Sequence, residues 1–227
     1  MRGHLAGLRE GSQVTTVNVP VSPGQTLGDQ MTWESFSHSY THGGTGSGKT
    51  FATAVVIIPP EEVWLPIQTL RQQYDPHVRR WMPHITLLYP FRRKDEFDPL
   101  EARLAWVCGC LQPFDVTLTT VNVFAHARAS HTIWLAPEPK ERVAALHAAL
   151  WQVVPNCDDV RRHPEGFTPH VTIGQVRGEE RLGKLLAALH TTWQPVAFTV
   201  SHISLIWRND PPDDVFRVGK RLDLGQR

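Results

Sequence analysis

The sequence predicts a mixed α and β protein, α/β or α+β, arranged as two similar lobes about a pseudo-twofold axis. From residue 52 onward, β-branched or alternating runs take turns with helical-period runs across short connections. The order of these runs then begins again near residue 131. Phrases repeat as well: "VVIIPPEEV" parallels "TIWLAPEPKERV", "MPHITLL" parallels "TPHVTIG", and "LQPFDVTLTTVNVF" parallels "WQPVAFTVSHISLI". A β-α-β-α-β unit is therefore present twice. A twofold arrangement lets equivalent residues of the halves meet at the axis.

The elements follow in order. Residues 1–50 are rich in Gly, Ser, Thr, Gln and His with apolar residues at neither period, so they read as a mostly disordered extension. "ATAVVIIPP" is a β-branched run closed by Pro59 and Pro60, a buried strand. "PEEVWLPIQTLRQQY" has acidic residues in its first turn and Val63, Ile67 and Leu70 at helical spacing, despite Pro66. "WMPHITLLYPF" is a strand, "DPLEARLAWVCGCL" a helix and "FDVTLTTVNVFAHA" a long alternating strand. In the second pass "HTIWLAPEP" is a strand, "KERVAALHAALWQVV" a helix, "TPHVTIGQV" a strand, "GEERLGKLLAALHTTW" a helix and "PVAFTVSHISLIWRND" a strand region. "DVFRVGKRLDL" adds a last strand, so the folded domain is placed at 51–222 with a tail at 223–227.

Composition excludes several classes. A formal net charge of +1 argues against wholesale binding of polyanions, so any nucleic-acid contact is local. Three cysteines without a C-x-x-C pair suggest neither a disulfide framework nor a thiolate zinc site. "MRGHLAGLREG" lacks an apolar leader core, and "AVVII" at 54–58 is too short for a bilayer. A soluble cytoplasmic protein without membrane contact is expected.

The functional signal is the repeated tripeptide. On a strand, residues i and i+2 face one side. His84 and Thr86 therefore project together, as do His170 and Thr172, while Ile85 and Val171 turn toward the core. If the halves face each other, two imidazoles and two hydroxyls converge on a cleft suited to a phosphate. One neutral and one protonated histidine supply a base and an acid in the same turnover. Two threonine hydroxyls can donate to the non-bridging oxygens as their charge grows.

With these residues the chain resembles the 2H phosphoesterases, the 2'-5' RNA ligase and cyclic phosphodiesterase family. The family's two H-x-T/S-x-apolar motifs are matched by His84-Ile85-Thr86-Leu87-Leu88 and His170-Val171-Thr172-Ile173-Gly174, each after a proline, Pro83 and Pro169. The resemblance spans about residues 52–222. It implies a bilobal fold of two pseudo-twofold-related antiparallel sheets, with flanking helices around a central cleft. It also implies metal-free hydrolysis of 2',3'-cyclic phosphates or 2'-5' phosphodiesters, without a cofactor, by His84, Thr86, His170 and Thr172. The expected partner is an RNA with a cyclic phosphate end or a small nucleotide, and the expected state is a monomer. A binding module that keeps the cleft without turnover is the alternative.

A second motif competes. "GGTGSGKT" at 43–50 fits the phosphate-loop pattern G-x-x-x-x-G-K-[ST], which would make the protein a nucleotide hydrolase. A working loop joins a buried strand to a helix N-terminus. Here polar "MTWESFSHSYTH" precedes it and strand-forming "FATAVVIIPP" follows. The context fails on both sides, leaving Lys49 a place near the cleft mouth as its one expected contact with substrate.

Around the two histidines, the cationic clusters "VRRW", "FRRK" and "VRRH" would steer an anion inward, with Arg80 and Arg162 nearest the motifs. Tyr89, Phe91 and Phe167 are candidates to stack a base. Gln175 lies three residues beyond Thr172, on the opposite strand face, so only a bend after Gly174 brings it to the phosphate.

Overall fold

The computed structural model describes residues 48–157 and 166–227. The extension predicted for residues 1–50 falls almost wholly outside them. Ten strands and four α-helices alternate along the described chain in the predicted order. They are β1 (Lys49–Thr50), β2 (Thr53–Ile57), α1 (Trp64–Tyr74), β3 (Ile85–Leu88), β4 (Phe91–Arg92), α2 (Phe97–Gly109) and β5 (Phe114–His126). There follow β6 (Ser130–Glu138), α3 (Lys140–Val153), β7 (Val171–Arg177), α4 (Glu179–Thr192), β8 (Val196–Val200), β9 (His202–Trp207) and β10 (Arg217–Asp223). Pro66 is the third residue of α1, where no intrahelical N–H partner is needed.

Every pairing among the described strands is antiparallel, which makes the class α+β. The large sheet has the order β10-β9-β2-β3-β7-β6-β5-β8, and β1 pairs with β4 in a small ribbon beside it. Its two four-stranded halves join through a single residue pair, Ile85 with Val171.

The registers repeat across that seam. Val56 faces Thr86 as Trp134 faces Thr172, and Ile57 faces Ile85 as Leu135 faces Val171. Val55 faces Leu205 and Val56 faces Ser204, just as Ile133 faces Val123 and Trp134 faces Asn122. Even the irregularity repeats: the register shifts between Val55 and Val56, and between Ile133 and Trp134. The duplication read from the sequence is thus a duplication of hydrogen-bond register. The axis passes through Ile85 and Val171 and, at the far side, through Val116 and Phe198, equivalent residues that also face each other.

One feature differs from a lobe-per-repeat arrangement. The last strand of the first repeat, β5, pairs with β6 and β8 of the second. The last strand of the second, β9, pairs with β2 of the first. Each half of the sheet is built from both repeats.

The main core lies between the sheet and its helices, around fully buried Ile85, Leu87, Leu104, Leu118, Leu135, Leu146, Leu150 and Val171. Burying one such side chain contributes about 1.5–3 kcal/mol. The residues set apart as a tail are held here too: Leu224 is buried, and Gly225 N–H and Arg227 N–H donate to the carbonyls of Cys108 and Gly109 at the end of α2. The helix α1 packs on β7 so closely that only glycine fits at 174. A Cβ there would stand 2.4 Å from Tyr74 Cβ and 3.2 Å from the Tyr74 carbonyl oxygen. Gly174→Ala is expected to destabilise by about 1–3 kcal/mol, read as a lower denaturant midpoint. An unchanged midpoint would mean that α1 can shift at no cost.

Candidate active site

The seam of the sheet builds the site. Ile85 and Val171 are fully buried and face each other, so the residues on either side of them lie on the opposite face. Carried one step along the antiparallel register, His84 stands across from Thr172 and Thr86 across from His170. Each histidine thus has the other motif's threonine beside it. All four line one cleft of about 380 Å³.

Local hydrogen bonds aim both imidazoles. His84 Nδ1 lies 2.7 Å from the Met82 carbonyl oxygen and His170 Nδ1 lies 2.8 Å from that of Thr168. A carbonyl only accepts, so Nδ1–H donates in both rings and Nε2 is left for the cleft. The same two-residue backward bond occurs in both halves.

The two rings differ in surroundings. His84 stacks on Trp81 at 4.6 Å between ring centres, and Trp81 stacks in turn on Phe216 at 3.7 Å. Burial pushes its pKa down to about 4. The Met82 carbonyl opposes the shift, Arg71 and His170 add to it, and Asp75 opposes it. His170 instead meets the rings of Phe124 and Trp134 edge-on, at 5.0 and 5.8 Å.

A buried ion pair holds Trp81 in place. On α1, Arg71 donates through Nε to Asp75 Oδ2 at 2.9 Å and through its terminal nitrogens to Gln68 Oε1 and the Trp81 carbonyl. Asp75 Oδ1 accepts the His77 N–H at 2.8 Å. The carboxylate and the guanidinium together tie down the segment that carries Trp81 to His84.

The pseudo-symmetry breaks on the concave face of the sheet. In the first half that face is covered: Ala54, Val56 and Ile206 are buried beneath Phe216, with Trp81, Met82 and Tyr89 packed around them. In the second half the equivalent face lines the cleft. Phe124 and His126 of β5 and Thr132 of β6 line the cleft there, and His126 Nε2 lies 2.9 Å from Thr132 Oγ1. Phe167 forms another wall, stacked on His147 at 4.0 Å.

The candidates named from the sequence divide accordingly. His84, Thr86, His170, Thr172, Phe167 and Gln175 line the cleft. Gln175 arrives through the bulge: Thr172 faces Trp134 while Gln175 faces Thr132, and Trp134 and Thr132 share one face of β6. Tyr89 is placed elsewhere, packed between Phe51 and Trp81 on the covered face. Phe91 is fully buried in the main core against Phe97. Arg80 is paired with Asp214 away from the cleft, and Arg162 lies outside the described residues. The sequence reading passed over Phe124, His126, Thr132, Trp81 and the Arg71–Asp75 pair. The alternation of β5, which sets Phe124 and His126 on one face, was the available signal.

The phosphate-loop pattern adopts a different geometry. Lys49 and Thr50 form β1, paired with Arg92 and Phe91, and a turn then leads into β2. No helix N-terminus follows Thr50. Lys49 lines a separate concavity with Lys94 and Trp207, not the mouth of the histidine cleft. Among the described residues, no group of three or more His, Cys, Asp or Glu side chains is placed to hold a metal ion, and no helix is long and apolar enough to cross a membrane.

Comparison with known proteins gives a consistent picture. The sequence model of the 2'-5' RNA ligase superfamily matches residues 59–212. A Bacillus licheniformis protein provisionally named a phosphoesterase is 27% identical over 137 residues, covering 60% of this chain and 77% of that one. A Geobacillus kaustophilus protein of the same provisional name is 30% identical over 123 residues, covering 53% and 67%. Among solved structures, Thermus thermophilus TT0787 matches with a TM-score of 0.53 at 19% identity, over 76% of this chain and 97% of that one. Escherichia coli LigT complexed with 3'-AMP matches with a TM-score of 0.51 at 20% identity, over 79% and 100%.

Proposed function

Because the chain belongs to the 2'-5' RNA ligase superfamily, we propose that it is a phosphodiesterase that hydrolyses 2',3'-cyclic phosphates or 2'-5' linkages by two-histidine acid–base catalysis. The observation that carries the reading is the seam: two imidazoles, each with Nδ1–H bound to a carbonyl, and two threonines on one face of one cleft.

His84, held neutral by burial, takes a proton from the attacking water. The water oxygen bonds to phosphorus. The bond from phosphorus to one ribose oxygen breaks, and His170 as imidazolium gives that oxygen its proton. Thr86 and Thr172 donate to the non-bridging oxygens, whose charge grows in the transition state. The product is a phosphomonoester, and LigT, of like fold, holds such a molecule in its 3'-AMP complex. The half of the cleft walled by Phe124 and Phe167 is the place for the nucleoside, since an aromatic wall suits a base.

The test is hydrolysis of nucleoside 2',3'-cyclic phosphates and a 2'-5' dinucleotide in EDTA, followed across pH. Turnover on neither would replace the enzyme reading with that of a binding module. The profile also assigns the roles. A base must be unprotonated, so kcat/KM is expected to stay flat below the ordinary histidine value of 6.5 and to fall only as pH drops through about 4. An acid limb centred at 6.5 or higher would transfer the base role away from His84.

A further inference from the structure

The histidine cleft does not end at Gln175. Gln175 and Asp75 also line a neighbouring concavity that runs past Tyr74 and Val176 to Arg177, and from there to Arg181 and Lys184 on the first turns of α4. These form a continuous furrow between the end of α1 and β7. It runs along the edge of β7 beyond its one pair with β3, where Gln175 faces Thr132 and Arg177 faces Ser130, so that Thr172, Gln175 and Arg177 stand on the cleft side and Val176 on the other. At about 3.3 Å per residue the furrow carries Arg177 roughly 15 Å from Thr172.

Its unpaired charge is of one sign. Among the described residues Arg177 and Arg181 have no carboxylate partner, and both are exposed. The nearest acids are engaged elsewhere: Glu179 with His131 at 3.1 Å, and Glu180 with Lys184 at 2.6 Å. Asp75, a carboxylate on the furrow wall, is buried and bound to Arg71 and the His77 N–H. Two unpaired guanidiniums in a groove that opens from a phosphate-cleaving cleft suit the backbone of a longer chain. A net charge of +1 for the whole sequence makes this a local feature.

We propose that the substrate is a single-stranded oligoribonucleotide, not a mononucleotide, and that its chain leaves the cleft over Gln175 with backbone phosphates on Arg177 and Arg181. This rests on the phosphodiesterase reading above. Neither arginine lines the histidine cleft, so a chain must extend past Gln175 to meet both.

The experiment compares wild type with the double variant R177Q/R181Q on two substrates: a nucleoside 2',3'-cyclic phosphate and a short oligoribonucleotide ending in the same cyclic phosphate. In parallel, fluorescence anisotropy follows a labelled oligoribonucleotide with a 3'-phosphate, which is not consumed. Wild type should prefer the oligonucleotide. The variant should keep mononucleotide turnover, which also certifies its fold, and lose about tenfold in kcat/KM and affinity on the oligonucleotide. Its slope of log affinity on log salt should fall by about 1.4, at roughly 0.7 per phosphate contact in a single strand. Equal effects on both substrates, no preference in wild type, or unchanged anisotropy in the variant would each overturn the furrow. If wild type turns over neither substrate, the phosphodiesterase reading fails, while the anisotropy series still decides the furrow.

Discussion

His84→Ala and His170→Ala are each expected to lower kcat on a 2',3'-cyclic phosphate by about 10²–10⁴-fold, the range of one positioned acid or base. Both rings are aimed by the same bond from Nδ1–H to a carbonyl two residues back, so each removes a proton-transfer group already oriented toward the cleft. The two losses should not multiply in the double variant, because acid and base serve one proton relay. Steady-state kinetics in EDTA reads the result, and the chelator is expected to leave wild-type turnover unchanged, since the proposed mechanism moves the proton and meets the charge with side chains alone. Full activity in either single variant would remove the two-histidine mechanism.

Asp75→Ala is expected to have the largest effect on stability, about 3–5 kcal/mol, the usual result of leaving one partner of a buried ion pair uncompensated. The side chains of Arg71 and Asp75 are 2% and 4% exposed, so solvent does not take over for the lost carboxylate. At about 2–4 °C per kcal/mol for a chain of this size, Tm should drop by roughly 6–20 °C. Activity should fall as well, because the pair anchors the segment that stacks Trp81 on His84. Removing both charges in R71M/D75L should restore part of the stability, since no orphan charge remains, without restoring kcat. A thermal melt of D75A within a degree or two of wild type would show that Arg71 finds another partner.

Much of this architecture was readable in the chain because its signals are local. Alternation at period two placed β5, and the helical spacing of Val63, Ile67 and Leu70 placed α1 and the 3-10 turn Glu61–Val63 before it within one helical run. The repeated Pro-His-x-Thr located the cleft face, because the side-chain period of a strand follows from backbone geometry alone. The pattern at 43–50 matched every fixed position of a phosphate loop, yet its flanks already favoured a strand, and a strand is what Lys49 and Thr50 form.

Other features depended on residues distant in sequence. The exchange of β5 and β9 between the repeats was hidden, because an alternating strand presents the same pattern to either neighbour. Gln175 reached the cleft through a bulge whose hydrogen bonds lie on β6. Tyr89 and Gln175 stand at equivalent positions of the two motifs, yet Tyr89 is packed against Trp81 and Gln175 lines the cleft. Phe216, arriving from near the C-terminus, covers one half of the sheet, while the equivalent face of the other half lines the cleft. The amino-acid order thus specified the elements, the duplication and the two histidines and two threonines of the cleft through short-range periodicity. Long-range packing chose which of two equivalent faces lines the cleft, because burial is settled by what lands on a surface and not by the strand that forms it.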